Sequence, residues 1–273
     1  DSISQFNHPG STFGTFSDFA YWDALIDTRI QLVEVGNGEG QIGAGGYYPS
    51  YEQYTMALDK GWHLAPTNNQ DNHKGMWGDS NTGRSVILAD SLTEADIYDA
   101  LRNYRVYATE DNDLNIYYTL NGSIMGSQLY SADVEDTVSL SVTLSDVTDD
   151  ANAKVEVIVN GGLVLASKTA TCNETVTFGV SSAYNYYYIK VTQADGDIAV
   201  TAPVWVGVAT PIVADIDTDA ALSVVGQTET TTATVDNAAD ADYTLSKIEF
   251  SLVIGEEETV IKTIEDSSVV PAG

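Results

Sequence analysis

The sequence predicts an α/β segment followed by all-β modules, and three observations carry that expectation. Residues 1–112 alternate short apolar runs with helically spaced ones, and from about residue 113 the apolar period changes from 3.6 to 2. The 273-residue chain is 43% hydrophobic and only 19% charged, enough to bury one or two cores. The expected layout is an α/β domain over 1–112, an immunoglobulin-like β-sandwich over 113–207 and a second, incomplete β module over 208–273.

In the α/β segment, Ser17 stands as a helix cap before Phe19, Trp22, Leu25 and Ile26, whose spacing is near-helical. Residues 30–35 read as a buried strand that ends at Gly36 in a glycine-rich loop running to Gly46. Ser50 and Gln53 then match a capping box, Tyr54, Ala57 and Leu58 line one helical face, and Gly61 falls where a C-cap is expected. A short strand follows at 63–67. The third cycle has a strand at 84–89, a capping pair at Ser91 and Glu94, a stripe of Ile97, Ala100, Leu101 and Tyr104, and a closing strand at 105–109. Repeated strand and helix units predict a parallel sheet or barrel.

Beyond residue 113, Val138, Leu140, Val142 and Leu144 alternate with Ser and Thr, so one face of that strand is buried. Further strands are expected at 114–120, 154–159, 163–167, 175–180, 186–193 and 198–206, separated by turn signals such as Asn121-Gly122 and Asn160-Gly161-Gly162. After Pro211 about four more follow, including 230–235, 247–254 and 259–264. Asp215, Asp217 and Asp219 lack the glycine and final glutamate of an EF-hand loop and read as a solvated linker.

Charge excludes some functions. Forty acids against eleven bases give a net charge of −29, which repels a polyanion, so broad nucleic-acid binding is ruled out. No stretch approaches the roughly 18 to 20 apolar residues of a membrane helix, so no membrane insertion is expected of this segment. The single cysteine, Cys172, leaves His, Asp and Glu as the available metal ligands.

The residues able to carry chemistry cluster in the first segment. His8 follows a short apolar stretch and precedes Pro9-Gly10, so its imidazole projects from a strand end. Asp71 and His73 sit two apart in an irregular stretch directly after a strand, where side chains at i and i+2 project the same way. His8, Asp71 and His73 together supply an N2O ligand set, although an Asp-x-His pair also suits a solvated loop. His63, about 13 Å from the Asp71 end of the same strand, reads as structural. Glu34 and Asn37 face the same mouth or serve the loop amides; Lys74 attracts an anionic substrate or is simply solvated. Tyr184, Tyr186, Tyr187 and Tyr188 form either a stacking platform or a core edge.

Four motifs in order carry a family resemblance. These are Phe6-Asn7-His8-Pro9-Gly10, Leu32-Val33-Glu34-Val35-Gly36-Asn37-Gly38, Gly61-Trp62 leading to Asp71-Asn72-His73, and the run from Ala100 to Thr109. Together they resemble the later motifs of PHP-domain metal-dependent hydrolases, most closely the CehA/McbA-type branch. The resemblance implies a distorted (β/α)7 barrel, here a partial one, holding divalent zinc, manganese or iron ions. It makes His8, Asp71 and His73 metal ligands, and implies a small-molecule ester or phosphoester substrate. Asn37, Asn69 and Lys74 are the expected substrate contacts. The family's N-terminal His-x-His, its further histidines and its bridging glutamate have no counterpart in this sequence. The chain is therefore expected to be the C-terminal portion of a longer protein, little active alone, whose open strand edges call for the missing N-terminal part or a homo-oligomer. The leading expectation is a secreted or surface-attached phosphoesterase using metal-activated water. The alternative is a non-catalytic cell-surface scaffold whose tandem β modules bind glycans or proteins.

Overall fold

The computed structural model describes residues 2–130, 134–148, 151–208, 212–218, 231–237, 243–244, 247–254, 257–265 and 269–270. The chain divides into two compact units, residues 1–129 with 133–208 and residues 130–132 with 209–273. Strands dominate both.

The first unit opens with β1 (Gln5–Phe6), α1 (Ala24–Asp27), β2 (Leu32–Asn37), β3 (Tyr48–Pro49), α2 (Tyr51–Asp59) and β4 (Ala65–Asn69). β2 is the centre of this sheet, with β1 and β4 parallel to it and β3 antiparallel to its end. All six residues of β2 are buried, which is why it reads as a run rather than an alternation. Tyr54, Ala57 and Leu58 of α2 share an apolar cluster with Val33, Val35 and Leu64. Gly61 ends the helix at φ 96°, the left-handed conformation that glycine adopts without strain.

Three capping expectations are corrected. Ser17 caps no helix: residues 16–19 all have φ between 51° and 55°, and the helix starts under Asp23, whose carboxylate accepts from the Leu25 and Ile26 N–H groups. Ser50 holds the N-cap position of α2, yet its hydroxyl donates to the Pro9 carbonyl instead of accepting a helix N–H. The next helix is capped by Thr93 rather than Ser91, because Thr93 Oγ1 is the acceptor in reach of the Asp96 N–H at 3.3 Å.

The chain continues with β5 (Arg84–Ile87), α3 (Glu94–Arg102), β6 (Val106–Thr109), β7 (Asn115–Leu120), β8 (Ser123–Ile124), β9 (Gln128–Tyr130), β10 (Thr137–Ser145) and β11 (Asn152–Val159). It goes on through β12 (Leu163–Thr171), β13 (Thr175–Ser181), β14 (Tyr186–Thr192), β15 (Ile198–Thr201) and β16 (Val204–Val208). One sheet runs β13-β10-β7-β8 and the other runs β12-β11-β14-β15-β6-β5. The two share a core in which Leu140, Val142 and Leu144 of β10 meet Ile116 and Leu120 of β7 and Val155, Val157, Ile189 and Val191 of the opposite sheet. Each such side chain contributes about 1.5–3 kcal/mol through burial. This is a sandwich-like arrangement of two β layers.

Two further readings change and a third is resolved. β5 and β6 are antiparallel neighbours, and β6 pairs with β15, so the third strand and helix cycle joins the sandwich instead of extending the parallel sheet. Residues 1–112 and 113–207 thus share a sheet and one core. The run expected as one strand at 198–206 is two, because Pro203 has no N–H for a ladder. Tyr186, Tyr187 and Tyr188 are buried, with hydroxyls donating to Asp59 and the Ser181 carbonyl or paired with Thr55, so they are core and not a stacking platform.

The second unit contains β17 (Ile212–Thr218), β18 (Thr231–Asn237), β19 (Tyr243–Thr244), β20 (Lys247–Ile254), β21 (Glu257–Glu265) and β22 (Val269–Val270). β17 pairs with β18, β19 with β22 and β20 with β21, all antiparallel. Asp215 and Asp217 therefore lie in a strand, not a linker, and Asp219 is outside the described residues. Among the described residues no helix is long and apolar enough to cross a membrane.

Candidate metal site at the parallel strand ends

Because β1, β2 and β4 run parallel, the segments that leave them emerge at one rim, and His8, Glu34, Asn37, Asn69, Asp71 and His73 all belong to that rim. Glu34 links it. One carboxylate oxygen accepts the His8 backbone N–H at 2.6 Å, and the other accepts Asn69 Nδ2 at 3.0 Å, inside a strand where Glu34 is only 3% exposed. The β2–β4 register shifts between Glu34 and Gly36. A Cβ at Gly36 would meet the Tyr47 hydroxyl and lie 2.7 Å from Asn68 Cγ, so only glycine fits there.

His8 has φ 38° and Asp71 has φ 45°, a region most residues avoid and in which His and Asp are enriched. The His8 ring packs on Phe13 with centroids 4.4 Å apart, and its Nδ1 is buried without a hydrogen-bond partner. A buried polar atom left unpaired costs about 1–3 kcal/mol. That nitrogen could serve a metal ion, but His8 does not line the cavity that Asp71 and His73 share.

Asp71, His73, Lys74 and Asn37 line a cavity of about 290 Å³ whose wall also includes Phe13 and Tyr48. His73 Nδ1 lies 2.6 Å from the Asp71 carbonyl, an acceptor, so in the neutral ring Nδ1 carries the proton and Nε2 is the nitrogen open to a ligand. Nε2 is 3.9 Å from Asp71 Oδ1. With metal bonds of about 2.1 Å from each, a single ion spans that gap. His8 does not join them closely: ligand atoms of His8, Asp71 and His73 do not all fall within 4.8 Å of one another. His63 stands apart, its Nδ1 2.7 Å from Asp27 Oδ2 and its ring against Trp205.

Lys74 forms a 2.9 Å ion pair with Glu39, which also accepts the His73 N–H at 3.1 Å. The Lys74 hydrogen bond, with that of His73, holds the Glu39 carboxyl below its usual range. Asn37 is buried at the cavity wall, whereas Asn69 is committed to Glu34 and Thr67 and does not line the cavity. Below the rim, Asn68 Nδ2 donates to Tyr47 Oη and to the Thr109 carbonyl, both at 3.0 Å. Burial, with the charge of Glu110 nearby, pushes the Tyr47 phenol well above its ordinary range.

Sequence reasoning missed Glu39, which lies within the glycine-rich loop and reaches His73 and Lys74 only through folding. It also missed a second acidic group: Asp111, Asp113 and Asp146 offer carboxylate oxygens all within 4.8 Å of one another. The sequence signal was an Asp-x-Asp between two strands, at 111 and 113, with a third acid directly after the alternating run of β10. Burial raises the Asp111 carboxyl, but hydrogen bonds from Asp113, Gln193 and Leu114 outweigh it and hold it low, while the Asp111 contact pushes Asp113 up. Comparison with known proteins finds no protein-family model that matches this chain and no curated protein similar to it.

Proposed function

We propose that the rim formed by β1, β2 and β4 is the metal-binding end of a PHP-type barrel, and that the protein is a metal-dependent hydrolase acting on phosphoesters outside the cell or at its surface. The observation that carries this reading is the placement at one rim of two histidines, His8 with its buried, unpartnered Nδ1 and His73 with its Nε2 3.9 Å from Asp71 Oδ1. His8 and His73 act as neutral ligands and Asp71 as an anionic one. Bound zinc, manganese or iron supplies Lewis acidity and an acidified water. The chain's own residues position and attract. Glu34 fixes the backbone that carries His8 and the amide of Asn69, and Lys74, oriented by Glu39, presents positive charge to an anionic ester at the cavity mouth. Asn37 offers a polar contact from the cavity wall. The wider separation of His8 suits two ions sharing the rim better than one, which calls for ligands beyond these three.

A titration with Co2+ tests the reading, because its visible spectrum reports nitrogen and oxygen ligands directly. Saturable binding with a histidine-type spectrum is expected, weakened at least tenfold in both His8→Ala and Asp71→Ala. Binding as strong in both variants as in the native protein removes the assignment. The scaffold alternative draws support from exposed aromatics, Tyr21 at 74% and Trp77 at 81%. It predicts no specific metal uptake at the rim.

A further inference from the structure

Within the first unit, the sheet that holds β11, β14 and β15 has one face on the sandwich core and the other under α2. Strand alternation sends Val155, Val157, Ile189 and Val191 to the core, and Glu156, Ile158, Tyr188 and Lys190 to the α2 side. Between Tyr51 and Thr55 of α2 and these strands a cavity of about 590 Å³ stays open. The β11–β14 register puts Glu156 opposite Lys190 and, two residues along, Ile158 opposite Tyr188. A charged rung thus borders an apolar one. Glu156 is only 6% exposed, a costly place for a carboxylate. Its Oε1 takes the Lys154 ammonium at 2.5 Å, and among the described residues no protein donor reaches its Oε2. Lys190 is half-buried and forms no ion pair among the described residues, in a chain with forty acids; its ammonium lies 6.0 Å from the centre of the Tyr51 ring. The hydroxyls of the wall are already committed, Tyr51 to Glu110 and Thr55 to Tyr188. The cavity therefore holds a buried acceptor lacking a donor beside a donor lacking an acceptor.

We propose that this cavity binds a pyranose unit of a carbohydrate. Its wall carries Lys154, Lys190, Glu52 and Glu156, whose charges cancel, so it has no net attraction for an ion. Hydroxyl groups suit it because each both donates and accepts: one donates to Glu156 Oε2 while its neighbour on the sugar ring accepts from Lys190. Both bonds are charge-assisted and therefore among the stronger ones. The C–H face of the ring then meets Ile158, Tyr188 and Val200. A zwitterion such as an amino acid also offers both partners, but its charges must shed far more hydration, which an open cavity returns poorly. The volume falls within the range of about 300–1,000 Å³ usual for small-molecule sites. The proposal is independent of the hydrolase reading and holds whether or not the rim is catalytic.

Calorimetric titration of chelator-treated protein with maltose, cellobiose, lactose and N,N′-diacetylchitobiose tests it. At least one is expected to bind saturably, with a dissociation constant on the order of 1 mM. For that sugar, Lys190→Met and Glu156→Gln should each weaken binding about tenfold, the loss of one charge-assisted bond. Val164→Trp, at an exposed position of the wall that makes neither bond, should abolish binding by filling the cavity. Free glutamine should give no saturable heat. His8→Ala should leave sugar binding unchanged, which separates failure here from failure at the rim. Circular dichroism confirms that each variant is folded. Absence of saturable binding of any of these sugars up to about 10 mM, preference for glutamine over all of them, or binding indifferent to both Lys190→Met and Val164→Trp overturns the proposal.

Discussion

Replacing Glu34 by Gln keeps the shape of the side chain and removes half of what it does. In the native protein its two carboxylate oxygens accept the His8 N–H at 2.6 Å and Asn69 Nδ2 at 3.0 Å, both inside a buried strand. A glutamine offers one acceptor and one donor. The His8 N–H cannot turn, so the remaining oxygen must serve it, and the new NH2 then faces the NH2 of Asn69. Asn69 could reverse its amide only by giving up its bond to Thr67 Oγ1 at 3.1 Å and its contact with the Ser85 hydroxyl, which is shared with the Asn68 carbonyl. One charge-assisted bond becomes neutral, at about 1 kcal/mol, and a second is lost, at about 2 kcal/mol, giving a destabilisation of about 3 kcal/mol. Trp22, Trp62, Trp77 and Trp205 all lie in the first unit, so urea unfolding followed by tryptophan fluorescence reads that unit alone. A shift under about 0.5 kcal/mol would refute the role given to Glu34.

Gly36→Ala should destabilise the same unit by about 1–3 kcal/mol, since the added methyl lies 2.7 Å from Asn68 Cγ; an unchanged urea midpoint contradicts this. Leu140→Ala, in the middle of the sandwich core, should cost about 2–5 kcal/mol by the same assay, and a cost below 1 kcal/mol would mean that the two sheets do not share that core. Burial, then the charges of Asp195, Glu110 and Asp111, push the Asp197 carboxyl up to about 6. Its folded value exceeds the unfolded one of about 3.9, so its contribution is full below about pH 4 and is lost as pH rises towards 6. Screening of this partly exposed group leaves about 1 kcal/mol. In chelator, Asp197→Asn should flatten that pH dependence and be the more stable protein at pH 7; a parallel pH profile contradicts the assignment.

What the sequence made legible follows from which interactions are local. Strict alternation at 138–144 marks a strand because the side-chain period of a strand is a property of the backbone, and the structure has β10 there. The strand-end positions of His8, Asp71 and His73 were legible for the same reason: each follows a strand closely in sequence. Direction was not legible. β5 and β6 carry the signals of a strand–helix–strand unit but pair antiparallel, because β6 is claimed by β15, some ninety residues later. The serines at 17, 50 and 91 have the right identity for caps, but a hydroxyl takes whichever partner folding brings near. For Ser50 that partner is Pro9, 41 residues away. Glu39, Gln193 and the carboxylates of Asp111, Asp113 and Asp146 belong to the same class, since their meaning arises from neighbours on other strands.

Anomalous scattering from crystals soaked in ZnCl2 addresses the rim most directly. Zinc peaks are expected at the mouth of the cavity, against Asp71 Oδ1 and His73 Nε2, and at His8 Nδ1. No peak there, with zinc found only at unrelated surface carboxylates, would contradict the metal-centre account.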